Sequence, residues 1–233
     1  LSQTAERSLQ PVQRANRPKD YDFQTSDVLG LHLPFCYIGF ETVRKLEPEF
    51  GFELKLRGFQ IHPEWPAEGL PISQHPRLME PKARRLIWTH ILELAEGAGL
   101  TMKAPEVLAN SRLALQAAEF ARENDKGTTF DQRVYKAYFT EGLNIGLQGV
   151  LGDLGADVGL DRSELDRALE SQRYATRLER DAQEAHRRGV NGVPAFFLGE
   201  YSFSGAQSEE MMREIMRRHV ARVDGAKKGE VAW

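Results

Sequence analysis

Leu33-Pro34-Phe35-Cys36-Tyr37-Ile38-Gly39 is the stretch on which the reading of this chain turns. Pro34 suits the first turn of a helix, where its missing N–H has no carbonyl to lose. Tyr37, Ile38, Phe40, Val43 and Leu46 continue at helical spacing, and Pro48 predicts an end near Glu47. A cysteine at position 33 would complete a Cys-X-X-Cys dithiol. The residue there is leucine, and Cys36 is the one cysteine of the chain. The motif keeps its inner sulfur and lacks the attacking one.

Outward from this helix, Tyr21 to Gly30 reads as a preceding strand. Phe52-Glu53-Leu54-Lys55-Leu56-Arg57 alternates apolar and polar residues, as a half-buried strand does. Residues 61–74 are irregular, punctuated by Pro63, Pro66 and Pro71. Helical stripes follow. One carries Leu86, Ile87, Ile91, Leu94 and Ala98; the next, after a cap at Asn110, carries Leu113, Ala117, Phe120 and Ala121. Phe130, Val134, Ala137 and Tyr138 make a third stripe. Asp161-Arg162-Ser163-Glu164 predicts a capped helix start, and Tyr174, Leu178, Ala182 and Ala185 form a last stripe closed by Gly189.

The pattern then returns to strands. Val193 to Leu198 is a short apolar run, Gly199-Glu200 a turn, and Tyr201-Ser202-Phe203 a second strand. Met212, Ile215 and Met216 mark a final helix. This order predicts an α/β domain formed by residues 19–74 and 187–223. A helical subdomain at 75–186 splits it, and residues 1–18 form a polar N-terminal arm.

Composition narrows the function. A formal net charge of -3 speaks against a general nucleic-acid binder, and no apolar run reaches the length of a membrane span. A single cysteine leaves no disulfide framework and no multi-cysteine metal site. His62, His75 and His90 do not make a metal-ligand spacing, so no metal is expected. Neither a Gly-X-Ser-X-Gly elbow nor a phosphate-binding Gly-X-X-X-X-Gly-Lys loop is present. The expected location is cytoplasmic, with a removed signal peptide left open.

Motifs spread along the chain carry a family resemblance. They are Pro34 to Gly39; Phe59-Gln60-Ile61-His62-Pro63 with Pro66-Ala67-Glu68-Gly69; Asn110-Ser111-Arg112-Leu113-Ala114; and Ala137 to Gly142 with Ile145-Gly146. The C-terminal ones are Gly189-Val190-Asn191-Gly192-Val193-Pro194-Ala195-Phe196-Phe197 and Ser204-Gly205-Ala206-Gln207. In this order they resemble the DsbA-like thioredoxin-fold family and its FrnE-like branch, related to kappa-class glutathione transferases and 2-hydroxychromene-2-carboxylate isomerases. The resemblance covers about Tyr21 to His219 and implies a thioredoxin-like α/β fold with a large all-helical insertion.

It also implies a site. Leu33 stands where redox members carry the nucleophilic cysteine and the isomerase-type relatives a serine. Pro34 and Phe35 complete the motif, and Cys36 takes the resolving position, which usually faces inward. Val193-Pro194 maps onto the family's cis-proline loop, where the N–H and C=O of Val193 turn outward to a peptide or glutathione. Gly205, Ala206 and Gln207 fall where glutathione-using relatives hold the γ-glutamyl end, although Ala206 lacks the side chain for it. His32 is a neighbouring candidate donor.

Four readings stay open: a thiol–disulfide oxidoreductase lineage that has lost its nucleophile; a glutathione-dependent transferase or isomerase; a non-redox binder of peptides or small apolar ligands; and a monothiol sensor acting through Cys36. No cofactor is expected, glutathione being the one candidate. The expected partner is a peptide, a small thiol or an apolar ligand, with the chain a monomer or homodimer and neither nucleic acid nor membrane involved.

Overall fold

A computed structural model of the chain describes residues 24–199 and 201–227. The expected arm at residues 1–18 lies outside them, as does Glu200 of the expected turn. Strand β1 (Gln24–Leu29) leads into helix α1 (Pro34–Phe50), which returns to strand β2 (Glu53–Gly58) lying parallel to β1. After the helical insertion come β5 (Ala195–Leu198), β6 (Tyr201–Ser204) and α8 (Glu209–Lys227). The sheet order is β2-β1-β5-β6, with β5 antiparallel to both neighbours. This β-α-β, β-β-α sheet, with a helical insertion between its halves, is the thioredoxin-like fold the sequence implies.

Burial explains the strand chemistry. Leu54 and Leu56 point into the core while Lys55 and Arg57 face out, the period of two read from the sequence. All four residues of β5 are buried, because both faces of that strand are covered. Phe196 and Leu198 join α1, Met212 and Met216 in the main core; Ala195 and Phe197 pack on the other face with Ala185 and Val190.

Helix α1 runs one turn further than expected. Pro48 lies inside it, and the helix stops at Gly51, whose φ of 69° is left-handed and whose N–H donates to Glu47 O at 2.8 Å. A proline this late costs only one backbone bond, so the left-handed glycine sets the end.

The insertion comprises a two-residue ladder, β3 (Leu70–Pro71) with β4 (Val107–Leu108), and six helices. They are α2 (Pro81–Gly97), α3 (Arg112–Glu123), α4 (Gly127–Lys136), α5 (Gln148–Asp157), α6 (Arg162–Glu170) and α7 (Ala175–Arg187). A π-turn at Ala137–Glu141 extends α4. Asp161 caps α6 as expected, accepting from Glu164 N at 2.8 Å, and Asn110 Oδ1 accepts from Arg112 N at the start of α3.

The inward face of α2 differs from the expected stripe. Trp88, Ile91, Ala95 and Ala98 are buried, whereas Leu86 is 74% exposed and Ile87 and Leu94 are also turned out. The large indole of Trp88, with its ring 6.5 Å from that of Phe139, takes the core position and rotates the helix accordingly. Trp88, Phe130 and Tyr138 are core residues.

The two halves of the α/β domain meet at Gly39. A Cβ there would lie 2.8 Å from Phe196 Cζ and 3.3 Å from Pro194 Cγ. Alanine would gain roughly 1 kcal/mol of helix propensity over glycine. Overpacking against a ring with nowhere to move costs about 1–3 kcal/mol and outweighs it. Gly39→Ala is expected to lower the unfolding free energy by about 1–2 kcal/mol in urea denaturation, against the direction propensity alone would give.

Candidate functional site

Leu33 occupies the N-cap of α1 in an extended conformation and offers no side-chain acceptor. Its N–H donates to Gly30 O at 3.1 Å, and its carbonyl accepts from Cys36 N and Tyr37 N. The side chain folds back over Gly30, where a Cβ would come within 2.9 Å of Leu33 Cδ1. A helix start of this kind stabilises a thiolate when a thiol is present; here it holds a half-buried methyl pair. Pro34 begins the helix proper, and Phe35 beside it is exposed.

Cys36 is sealed. Its exposure is 0%, its sulfur accepts from Gly30 N–H at 3.4 Å, and it packs in the main core. Burial pushes the thiol up to about 12, a rise the Gly30 N–H only partly offsets. Such a sulfur is neither nucleophile nor leaving group at neutral pH. Tyr37, the next residue, stacks on Tyr135 at 4.8 Å and tilts 9°, so it ties α1 to the insertion.

The Val193-Pro194 peptide is cis. Val28 pairs with Ala195 across antiparallel strands, so this loop leads into β5 beside the end of β1, from which the chain runs on to Leu33. Pro194 O accepts from Gly205 N at 2.8 Å, at a residue whose φ of 85° suits glycine. Among the described residues, the N–H and C=O of Val193 make no hydrogen bond. The same loop borders a cavity of about 380 Å³ that includes Gly192, Phe197 and Ser204.

The remaining expected site residues lie apart from this cluster. Ala206 and Gln207 turn toward α1 and α2, lining a cavity of about 170 Å³ with Ile38, Thr42 and Leu94. Ser208 caps α8 by accepting from Met211 N, so that junction is closed by its own chain. His32 is buried, and among the described residues neither ring nitrogen has a hydrogen-bond partner. Burial, aided by the nearby His62, lowers its pKa to about 3. It stands as a neutral core imidazole packed edge-on against Trp65 at 5.4 Å.

Trp65 is the residue that sequence reasoning passed over. It stacks on His62 at 4.1 Å, and Asn110 holds its carbonyl through Nδ2 at 2.7 Å. It forms one wall of a cavity of about 320 Å³ that runs to Arg112 and Leu113 at the start of α3. A tryptophan isolated between Pro63 and Pro66 was the available signal.

Comparison with known proteins follows the same lines. A family model described as a DSBA-like thioredoxin domain matches residues 33–217. The uncharacterized protein YwbO of Bacillus subtilis (strain 168) is 28% identical over 189 residues, which cover 78% of this chain and 90% of that protein. A crystal structure described as the "probable DsbA oxidoreductase SCO1869" of Streptomyces coelicolor superposes with a TM-score of 0.77 at 21% identity, over 85% of this chain and 90% of that one. A 2-hydroxychromene-2-carboxylate isomerase superposes at 0.72 with 20% identity, over 87% and 98%.

Two measurements check this site. Cys36 should resist maleimide in the native protein at pH 8 and react fully in denaturant; rapid native labelling would contradict its burial. The lowered pKa of His32 makes its contribution full above about 6.5 and lost as pH falls, because only the unfolded chain then takes up the proton. In urea denaturation, the stability of His32→Leu relative to the parent should rise by roughly 1 kcal/mol per pH unit from pH 6.5 to 4.5. A pH-independent difference would place that imidazole in water.

Proposed function

The chain belongs to the DSBA-like thioredoxin domain family, and on that premise we propose that it acts as a non-redox member, one that binds an extended peptide or a small apolar ligand. The observation that carries this reading is the N–H and C=O of Val193, unpaired among the described residues and lying in the cis-proline loop beside the end of β1. A donor and an acceptor left open on one residue are what an added strand uses. Each backbone bond is worth only about 0.5–1.5 kcal/mol net, so most of the affinity must come from apolar contact. Half-buried Leu33 and exposed Phe35 supply such a surface, and neither can attack a disulfide.

The chemistry of Cys36 supports the same reading from the other side. A resolving thiol needs an attacked partner within reach and a share of thiolate. Leu33 gives no partner, and burial suppresses the thiolate. A monothiol role would need the helix to open before the sulfur could meet an oxidant. Glutathione, for its part, would find the Gly205 N–H already engaged by Pro194 and no acceptor on Ala206.

Calorimetric titration of the protein with a cysteine-free, alternating apolar peptide tests the proposal. Saturable 1:1 binding, without insulin reduction by the same protein, is the expected result. Leu33→Cys should gain measurable insulin reduction, since the helix start that activates a thiol is intact. Insulin reduction by the parent chain, or saturable binding of glutathione without any of the peptide, would overturn the reading.

A further inference from the structure

Another cavity lies away from the Leu33 motif, on the outer side of β2. It measures about 520 Å³ and is walled by β2, the α3–α4 turn and α7. Six basic side chains line it against three carboxylates, within a chain whose formal net charge is -3. Positive charge is therefore gathered in one concave place and focused there by the surrounding protein.

The basic residues fall into two groups. Arg57 pairs with Asp181 at 3.1 Å, Arg122 with Glu119 and buried Asp131 at 2.9 Å each, and Arg177 with Glu119 at 2.9 Å. These three fasten β2, α3, α4 and α7 together. Gly127 belongs to the same device, since a Cβ there would lie 2.6 Å from Arg122 Cγ. Lys55 and Lys126 have no carboxylate partner among the described residues, and exposed Arg180 reaches Asp181 only at 3.9 Å. Among the described residues, none of these three charges ties one element to another by an ion pair.

We propose that this cleft binds a small phosphorylated anion carrying two or more negative charges. Carboxylates favour the flat fork of arginine, and the arginines nearest the buried wall are occupied. The charges left open are chiefly lysines, point donors that suit tetrahedral phosphate. Thr128 and Thr129 line the same cavity with hydroxyls, and the N–H groups of Gly127, Thr128 and Thr129 make no backbone bond. The cleft is walled on three sides, which favours a compact anion over an extended acidic segment. The chain's formal net charge of -3 speaks against a general nucleic-acid surface.

The test is calorimetry of the full chain with inorganic pyrophosphate and, separately, ADP. One site per chain is expected, weakening by about tenfold or more between 50 and 300 mM NaCl. Lys55→Glu and Lys126→Glu should each weaken binding by about tenfold while leaving the melting temperature unchanged, because neither lysine holds the fold. Lys136→Glu makes the same change of net charge about 13 Å along α4 and should leave binding within about twofold. Tighter ADP than pyrophosphate would assign a nucleotide, and equal affinities an inorganic anion. Absence of saturation with both probes, or a Lys136→Glu loss equal to that of Lys55→Glu, would overturn the proposal.

Discussion

The missing side chain of Gly39 is the constraint from which the rest of the arrangement follows. It lets the Pro194 ring and the Phe196 ring approach α1 closely enough to close the core. Two stretches of chain separated by the whole insertion are joined there. Once Phe196 is seated, β5 has one register against β1, because a shift of one residue would turn Phe196 and Leu198 away from α1. That register brings the cis Val193-Pro194 peptide to the end of β1. The position of the cis-proline loop is thus set by a packing contact of the strand that follows it.

The insertion is held to this frame by directional contacts. Tyr37 lies nearly parallel to Tyr135 and also stacks on Phe139, 5.9 Å away. Asn110 bonds Gln60 and the Trp65 carbonyl, binding the start of α3 to the loop after β2. Tyr138 donates to Val107 O and accepts from Ala109 N, so its hydroxyl is satisfied although its ring is buried. Asp131 is less comfortable. Burial raises its pKa to about 6 even with Arg122 alongside, which shows how far the α3–α4 contact is withdrawn from water.

Much of this was legible in the sequence where local chemistry decides the outcome. The alternation around Leu54 and Leu56, the apolar run at Val193 to Leu198 and the cap at Asp161 each reflect a neighbour-to-neighbour rule. Helix α2 was harder, because Leu86, Ile87, Leu92 and Leu94 give it a second apolar stripe beside the one carrying Trp88. Periodicity could not choose between two stripes; the position of Phe139 did. Trp65 sits in a loop with no period at all. The unpaired backbone of Val193 and the open charge of Lys55 were beyond reach for another reason. A free hydrogen bond or an unmatched cation is defined by what the rest of the fold fails to bring near it.

The burial of the lone sulfur has a wider consequence. A thioredoxin-like protein with an active dithiol exists in two covalent forms, and its affinity for partners follows the redox poise of its surroundings. With Cys36 enclosed under Gly30 and Leu33 in front of it, this chain has a single covalent state across that range. A change in redox poise that would switch a dithiol relative between two forms therefore finds no second thiol here to pair with the buried one.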